Sequence, residues 1–246
     1  MNDAPTPLLP DWPAPPGVHA ASSTRAGGVS RGAWAGLNLG AHVGDDPEHV
    51  AENRRRLRRA LGLPAEPVWL NQVHGRNVVP AETAPPGIPA DASFTRRPGV
   101  VCAVLTADCL PVLFAARDGS AVAAAHAGWR GLAGGVLEAT LGCFDDPQQV
   151  IAWLGPAIGP RAFEVGPEVR QAFCEAHPGA EDAFAPSADG RWLADLYALA
   201  RLRLEAAGIG GVYGGGRCTY SEPETFYSYR RSRRTGRMAT LVWLEA

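Results

Sequence analysis

Four stretches in the middle of the chain are almost unbroken apolar runs of strand length: VVCAVLT (100–106), PVLFAA (111–116), SAVAAAH (120–126) and QVIAWLG (149–155). A strand with one wet face alternates apolar and polar residues, whereas a continuous apolar run has to be covered on both faces. These runs therefore predict central strands of a sheet that is packed on both sides. The tripeptide Arg117-Asp118-Gly119 is a turn between the second and third of them. ATLVWL (239–244) adds a strand from the far end of the sequence.

The covering layers are helical. Asp46 followed by Pro47 starts EHVAENRRRLRRALG with an N-cap and a first-turn proline, and Gly62 stops it. Val50, Leu57 and Leu61 form its apolar stripe, which leaves Arg54–Arg59 as a solvated outer face. GLAGGVLEATLGCF (131–144) is predicted as one helix and PEVRQAFCEAH, from Pro167, as a short one. LADLYALARLRLEAAG (193–208) is the most regular, with Leu193, Leu196, Ala200 and Leu204 on one face and Gly208 as its stop. No internal repeat or long linker divides the 246 residues. The expected fold class is α/β: an extended Pro-rich N-terminus over 1–16, then a single domain of mixed β-sheets flanked by helices over 17–246.

A net charge of −2 and a pI near 6.3 argue against a general binder of nucleic acid or membrane surfaces. Five cysteines, Cys102, Cys109, Cys143, Cys174 and Cys218, form no CxxC pair, and no secretory leader or stretch of transmembrane length is present. The expectation is free thiols in a reducing, cytoplasmic compartment.

Polar residues capable of chemistry interrupt the apolar runs near their ends. TADCLPVLF (106–114) sets Asp108 beside Cys109, HAGWRG (126–131) begins with His126, and NQVHG carries His74. Two imidazoles and a thiolate suit a zinc ion with one position left open, although residues so far apart in sequence specify no geometry. The plain alternatives are a buried inert thiol and structural histidines. Asp108 could orient a ligand or act as a base. Arg130 offers a fork for phosphate or carboxylate, and Trp129 a flat face for a ring. Arg230 and Arg231 follow the aromatics of FYSYRRSRRTGRMA, where they suit a small anion or a surface ion-pair cluster. GPAIGP (155–160) reads as a tight turn and lacks the Lys-Ser/Thr of a phosphate-binding loop.

Taken in order, LNLGAHVGDD, NQVHG, Asp91-Ala92, TADCLPVLF, HAGWRG, GPAIGP, FEVG, Cys218-Thr219 and SYRR…TGRMA resemble the bacterial YfiH-like laccase-domain family, from about Gly27 to the C-terminus. The family's tail is usually FFSHRR or FFSYRR and is FYSYRR here. The resemblance implies a layered α/β domain, usually monomeric, with zinc held by His74, Cys109 and His126. It implies phosphorolysis of adenosine, inosine and methylthioadenosine, with adenosine deamination as a side activity. On that reading Asp108 and Arg130 join the catalytic set, Asn38, Arg25 and Arg230 bind substrate, and His42 is a further candidate. The partners are a nucleoside and phosphate. The family is also described as editing peptidoglycan precursors, with Cys109 as the nucleophile of a hydrolase. Copper is the alternative metal, but a multicopper oxidase needs many imidazoles, and His19, His49 and His177 of the six histidines fall outside these motifs.

Overall fold

The computed structural model describes residues 4–246. In chain order its elements are β1 (Val18–Ser22), α1 (Pro47–Leu61), β2 (Val78–Pro80), β3 (Ala92–Thr95), β4 (Val101–Thr106), β5 (Leu110–Ala116), β6 (Val122–Ala127), α2 (Trp129–Gly134), α3 (Val136–Leu141), β7 (Val150–Leu154), β8 (Glu164–Val165), α4 (Pro167–Cys174), β9 (Phe184–Pro186), β10 (Trp192–Ala194), α5 (Leu196–Ala206), β11 (Gly211–Gly214) and β12 (Met238–Leu244). They form one mixed α/β fold. A six-stranded sheet has the order β11-β7-β5-β6-β3-β2, and a three-stranded sheet the order β1-β12-β4. A small sheet, β8-β10-β9, lies apart.

The continuous apolar runs are explained by four layers. Leu113, Ala115, Val122, Ala124, Ile151 and Trp153 on one face of the large sheet pack against Cys102, Val104, Val242 and Leu244 of the three-stranded sheet. The alternate residues of the large sheet, Leu110, Val112, Phe114, Ala123 and Ala125, join a cluster with Leu132, Leu137, Phe173 and Leu204 from α2, α3, α4 and α5. The outer face of the three-stranded sheet, Val101, Ala103, Leu105 and Leu241, packs on Leu57 of α1 and on Leu37 and Leu39 from the segment before it. Each central strand is thus covered twice, and every residue of β4, β5, β6, β7 and β12 is buried.

Helix α1 forms as the sequence predicts. The Asp46 carboxylate accepts the Glu48 N–H at 2.9 Å, and Gly62 caps the end at φ 59°. Two expectations are corrected. The helix predicted over 131–144 is two short ones, because Gly135 turns left-handed at φ 95° between α2 and α3. Leu193 does not share a helical face with Leu196; it pairs in β10, and α5 starts only after Asp195 caps the N–H groups of Tyr197 and Ala198. Within the N-terminal stretch, Leu8 bridges to Ser22 beside β1. No helix among the described residues is long and apolar enough to cross a membrane.

Candidate metal centre and cavity

The segment Thr106-Ala107-Asp108-Cys109 carries the chain from β4 in one sheet to β5 in the other. This crossover must turn sharply, and Asp108 does so at φ 97°, outside the region that residues with a Cβ normally occupy. Cys109 then stands at the head of β5. On the neighbouring strand His126 sits opposite Pro111 near the end of β6. His74 arrives from the loop before β2, also left-handed at φ 59°.

Residues distant in sequence meet here. The ligand atoms of His74, Cys109 and His126 all lie within 4.8 Å of one another. Cys109 Sγ is 3.8 Å from His74 Nε2, and the two imidazole rings meet edge-on at 4.8 Å. A tetrahedral zinc with ordinary Zn–S and Zn–N bonds would hold sulfur and nitrogen about 3.6 Å apart. Two nitrogens and a thiolate at this spacing fit such an ion and leave room for a fourth ligand. His74 is exposed, Cys109 half-buried and His126 buried, so the cluster is reached from one side. The approach is close enough that a side chain at Gly128 would displace the ligands. A Cβ there would stand 2.7 Å from His74 Cδ2 and 3.1 Å from Cys109 Sγ.

Asp91, named by the sequence only as part of a motif, organises the cluster. It is fully buried, and its Oδ1 accepts the His126 Nδ1–H at 2.8 Å and the His74 N–H at 2.9 Å. Its Oδ2 accepts the N–H groups of Gly75 at 2.7 Å and Val73 at 3.2 Å. Burial opposes its charge, but the hydrogen bonds from His126, Gly75 and His74 prevail and hold the carboxyl below its usual range.

With no metal the cluster stores its charge as a thiolate and an imidazolium. Burial alone would push the Cys109 thiol up, yet the charge and hydrogen bonds of His126 and His74 bring it down to about 6. Burial would likewise favour a neutral His126, but the Cys109 thiolate and the Asp91 carboxylate raise it to about 9. A metal ion binding here would displace that proton.

The cluster forms one wall of a cavity of about 430 Å³. Trp129, Phe163 and Tyr229 give it flat apolar surfaces, and Arg230 and Arg237 bring two guanidinium groups to it. His42 also lines it; burial and the charges of Arg237 and Arg54 lower its pKa, so its imidazole is neutral at pH 7. Sequence reasoning did not single out Arg237, Phe163 or Tyr229. All three lie in motifs it quoted or directly beside them.

The other predicted residues are placed as follows. Asp108 lines the cavity, but both its oxygens are engaged: Oδ1 accepts the Thr219 hydroxyl and Oδ2 the Arg230 N–H, each at 2.6 Å. Arg130 is exposed and stacks on Trp129, 4.3 Å from the ring centroid, without lining the cavity. Arg25 donates to the carbonyls of Pro223 and Ala35, and it too stands outside. Asn38 is buried behind the wall, where its Oδ1 accepts the backbone N–H groups of Arg237 and Gly40. Three of the nine predicted positions, Arg25, Asn38 and Arg130, therefore do not line the cavity.

A family model described as multi-copper polyphenol oxidoreductase laccase matches residues 19–245. The protein named purine nucleoside phosphorylase YfiH from Escherichia coli strain K12 is 59% identical over 239 residues, which is 96% of this chain and 98% of that protein. A purine nucleoside phosphorylase of Pseudomonas aeruginosa is 59% identical over 97% of this chain and 98% of its own. Among solved structures, a Neisseria meningitidis protein superposes with a TM-score of 0.94 at 55% identity, covering 98% of this chain and 99% of that one. YlmD from Geobacillus stearothermophilus superposes at 0.90 with 33% identity, over 99% and 100% of the two chains.

Proposed function

We propose that this chain, which belongs to the multi-copper polyphenol oxidoreductase laccase family, is a purine nucleoside phosphorylase acting on adenosine, inosine and methylthioadenosine. The observation that carries this reading is one cavity that joins a His-Cys-His cluster, aromatic walls and two arginines. Its volume falls in the range of small-molecule sites, roughly 300–1,000 Å³. The names of the similar proteins point the same way.

In phosphorolysis a phosphate oxygen forms a bond to C1′ of the ribose as the bond from C1′ to the purine breaks. The purine leaves with the electron pair and then takes a proton. Arg230 and Arg237 supply the charge that brings phosphate to the nucleoside and holds it in line. Trp129 and Phe163 offer faces on which a purine stacks. His42, kept neutral, offers a hydrogen bond to the departing base. Asn38 and Asp108 act from behind, the first through the Arg237 backbone and the second through the Arg230 backbone. Arg130 braces one wall through Trp129, and Arg25 packs on Tyr227 outside the lining.

His74, Cys109 and His126 would hold the metal, and zinc there supplies a Lewis acid at the cavity wall. Imidazole and thiolate accept copper as well. A multicopper array needs more imidazoles than this cluster offers. His19 stacks on Trp243, His49 lies beside Asp45 and His177 beside Glu138. Deamination of adenosine would be a minor reaction of water in the same cavity. The basic run of α1 gives no reason to add a nucleic-acid or membrane partner, since Glu52 pairs with Arg55 and Arg56 while Arg54 stacks on Trp69. We take the working form to be a cytoplasmic monomer.

A second reading rests on the Cys109 thiol, which His126 and His74 bring down to about 6 without any metal. Such a thiolate is a competent nucleophile. In this reading Cys109 attacks the muramoyl carbonyl of a nucleotide-linked muramic acid that carries a wrong amino acid, the amide bond breaks as a histidine gives the leaving amine its proton, and water then hydrolyses the thioester.

Product analysis separates the two. With adenosine, the phosphorylase releases adenine only when phosphate is present, and Cys109→Ala lowers the rate by at least about a hundredfold, the scale of a single catalytic group. Full turnover by Cys109→Ala would overturn the assignment. Untouched adenosine together with cleavage of muramoyl precursors would favour the hydrolase.

A further inference from the structure

We propose that Asp91 is the positioning residue that preforms the metal centre, one buried carboxylate fixing both the loop of His74 and the ring of His126. The inference rests on the reading that His74, Cys109 and His126 hold a metal. Four N–H donors converge on the two carboxylate oxygens, three of them from the consecutive backbone positions Val73, His74 and Gly75. These bonds hold His74 at φ 59°, a left-handed conformation that a residue with a Cβ adopts only when its surroundings insist. Without the carboxylate, part-buried backbone N–H groups would lose their partner and the loop its reason to stay.

The fourth donor is His126 Nδ1, at 2.8 Å. Because Nδ1 carries the proton given to Asp91, Nε2 is the nitrogen that gives up its proton and offers its lone pair to a metal. The main chain repeats the connection, since the His126 N–H donates to the Asp91 carbonyl at 2.7 Å. Asp91 is itself anchored through its own N–H on the Asn77 carbonyl at 3.1 Å. One residue thus fixes the conformation of one histidine and the tautomer of the other, although it touches neither the cavity nor the metal.

The test compares the metal-free wild type with Asp91→Asn, which keeps the shape but turns an NH₂ group toward donors that need an acceptor. Zinc affinity, read by competition with a chromophoric chelator, should fall about 10- to 100-fold. Cobalt(II) added as a probe should show a weaker thiolate-to-metal band in the variant, with the far-ultraviolet circular dichroism of the two metal-free proteins alike. A second measurement needs no variant. Nitrogen NMR of the zinc-loaded wild type should find His126 protonated at Nδ1, in a slowly exchanging hydrogen bond. Equal zinc affinity in the two proteins, or a His126 protonated at Nε2, would overturn the inference alone. Failure of the wild type to bind zinc would overturn the metal reading, and the inference with it.

Discussion

At the scale of single residues, the site works by surrounding each buried charge with the partners that hold it in place. Cys109 carries the clearest consequence. Thiolate is the reactive form of cysteine, and with His126 and His74 beside it this thiol ionises at about 6. In metal-free protein, alkylation of Cys109 by iodoacetamide should therefore rise with pH through about 6 and level off by neutrality. Zinc should block it. A midpoint near that of a free thiol would mean that the cluster does not form. Asp108 makes a different prediction. Its Oδ2 holds the Arg230 N–H, so Asp108→Asn should loosen the arginine without touching the metal ligands. Loss of one charged hydrogen bond, about 1.5 kcal/mol, corresponds to a KM for phosphate raised about tenfold at unchanged zinc content. Loss of zinc with an unchanged KM would place Asp108 in the metal site instead.

At the scale of elements, the structure depends on where the chain turns. The central strands were legible because a run such as PVLFAA has no other way to escape water than between two layers. The helices over 131–144 and 193–208 were less legible. Periodicity alone carries Leu193 into a helix and passes through Gly134-Gly135, whereas the Asp195 cap and the left-handed Gly135 decide where helix stops. Gly128 shows what sequence reading missed in HAGWRG. It looks like a mere helix start, yet its missing side chain is what lets His74 and Cys109 close over β6. Gly128→Ala should lower zinc affinity at least about tenfold, as other disturbances around a metal's ligands do. Calorimetric titration giving wild-type affinity would mean that the loop yields without cost.

At the scale of the whole molecule, two sheets pack face to face, and the metal ligands and the arginine loop gather at the short crossing from β4 in one sheet to β5 in the other. The three ligands were legible as chemistry in the sequence but not as a cluster, since only the folded sheets bring residue 74 to residues 109 and 126. Asp91 was hidden for the same reason: nothing local marks an aspartate whose four donors come from two other segments. Arg130 and Arg25 show the converse, side chains of the right chemistry that the fold turns outward or ties to carbonyls. The measurement that tests the central claim most directly is incubation of the zinc-loaded protein with adenosine and ¹⁸O-labelled phosphate, followed by mass spectrometry of the pentose. The account predicts ribose 1-phosphate carrying all the label of the phosphate, the bridging oxygen included. Adenine beside unlabelled free ribose, or inosine as the sole product, would contradict it.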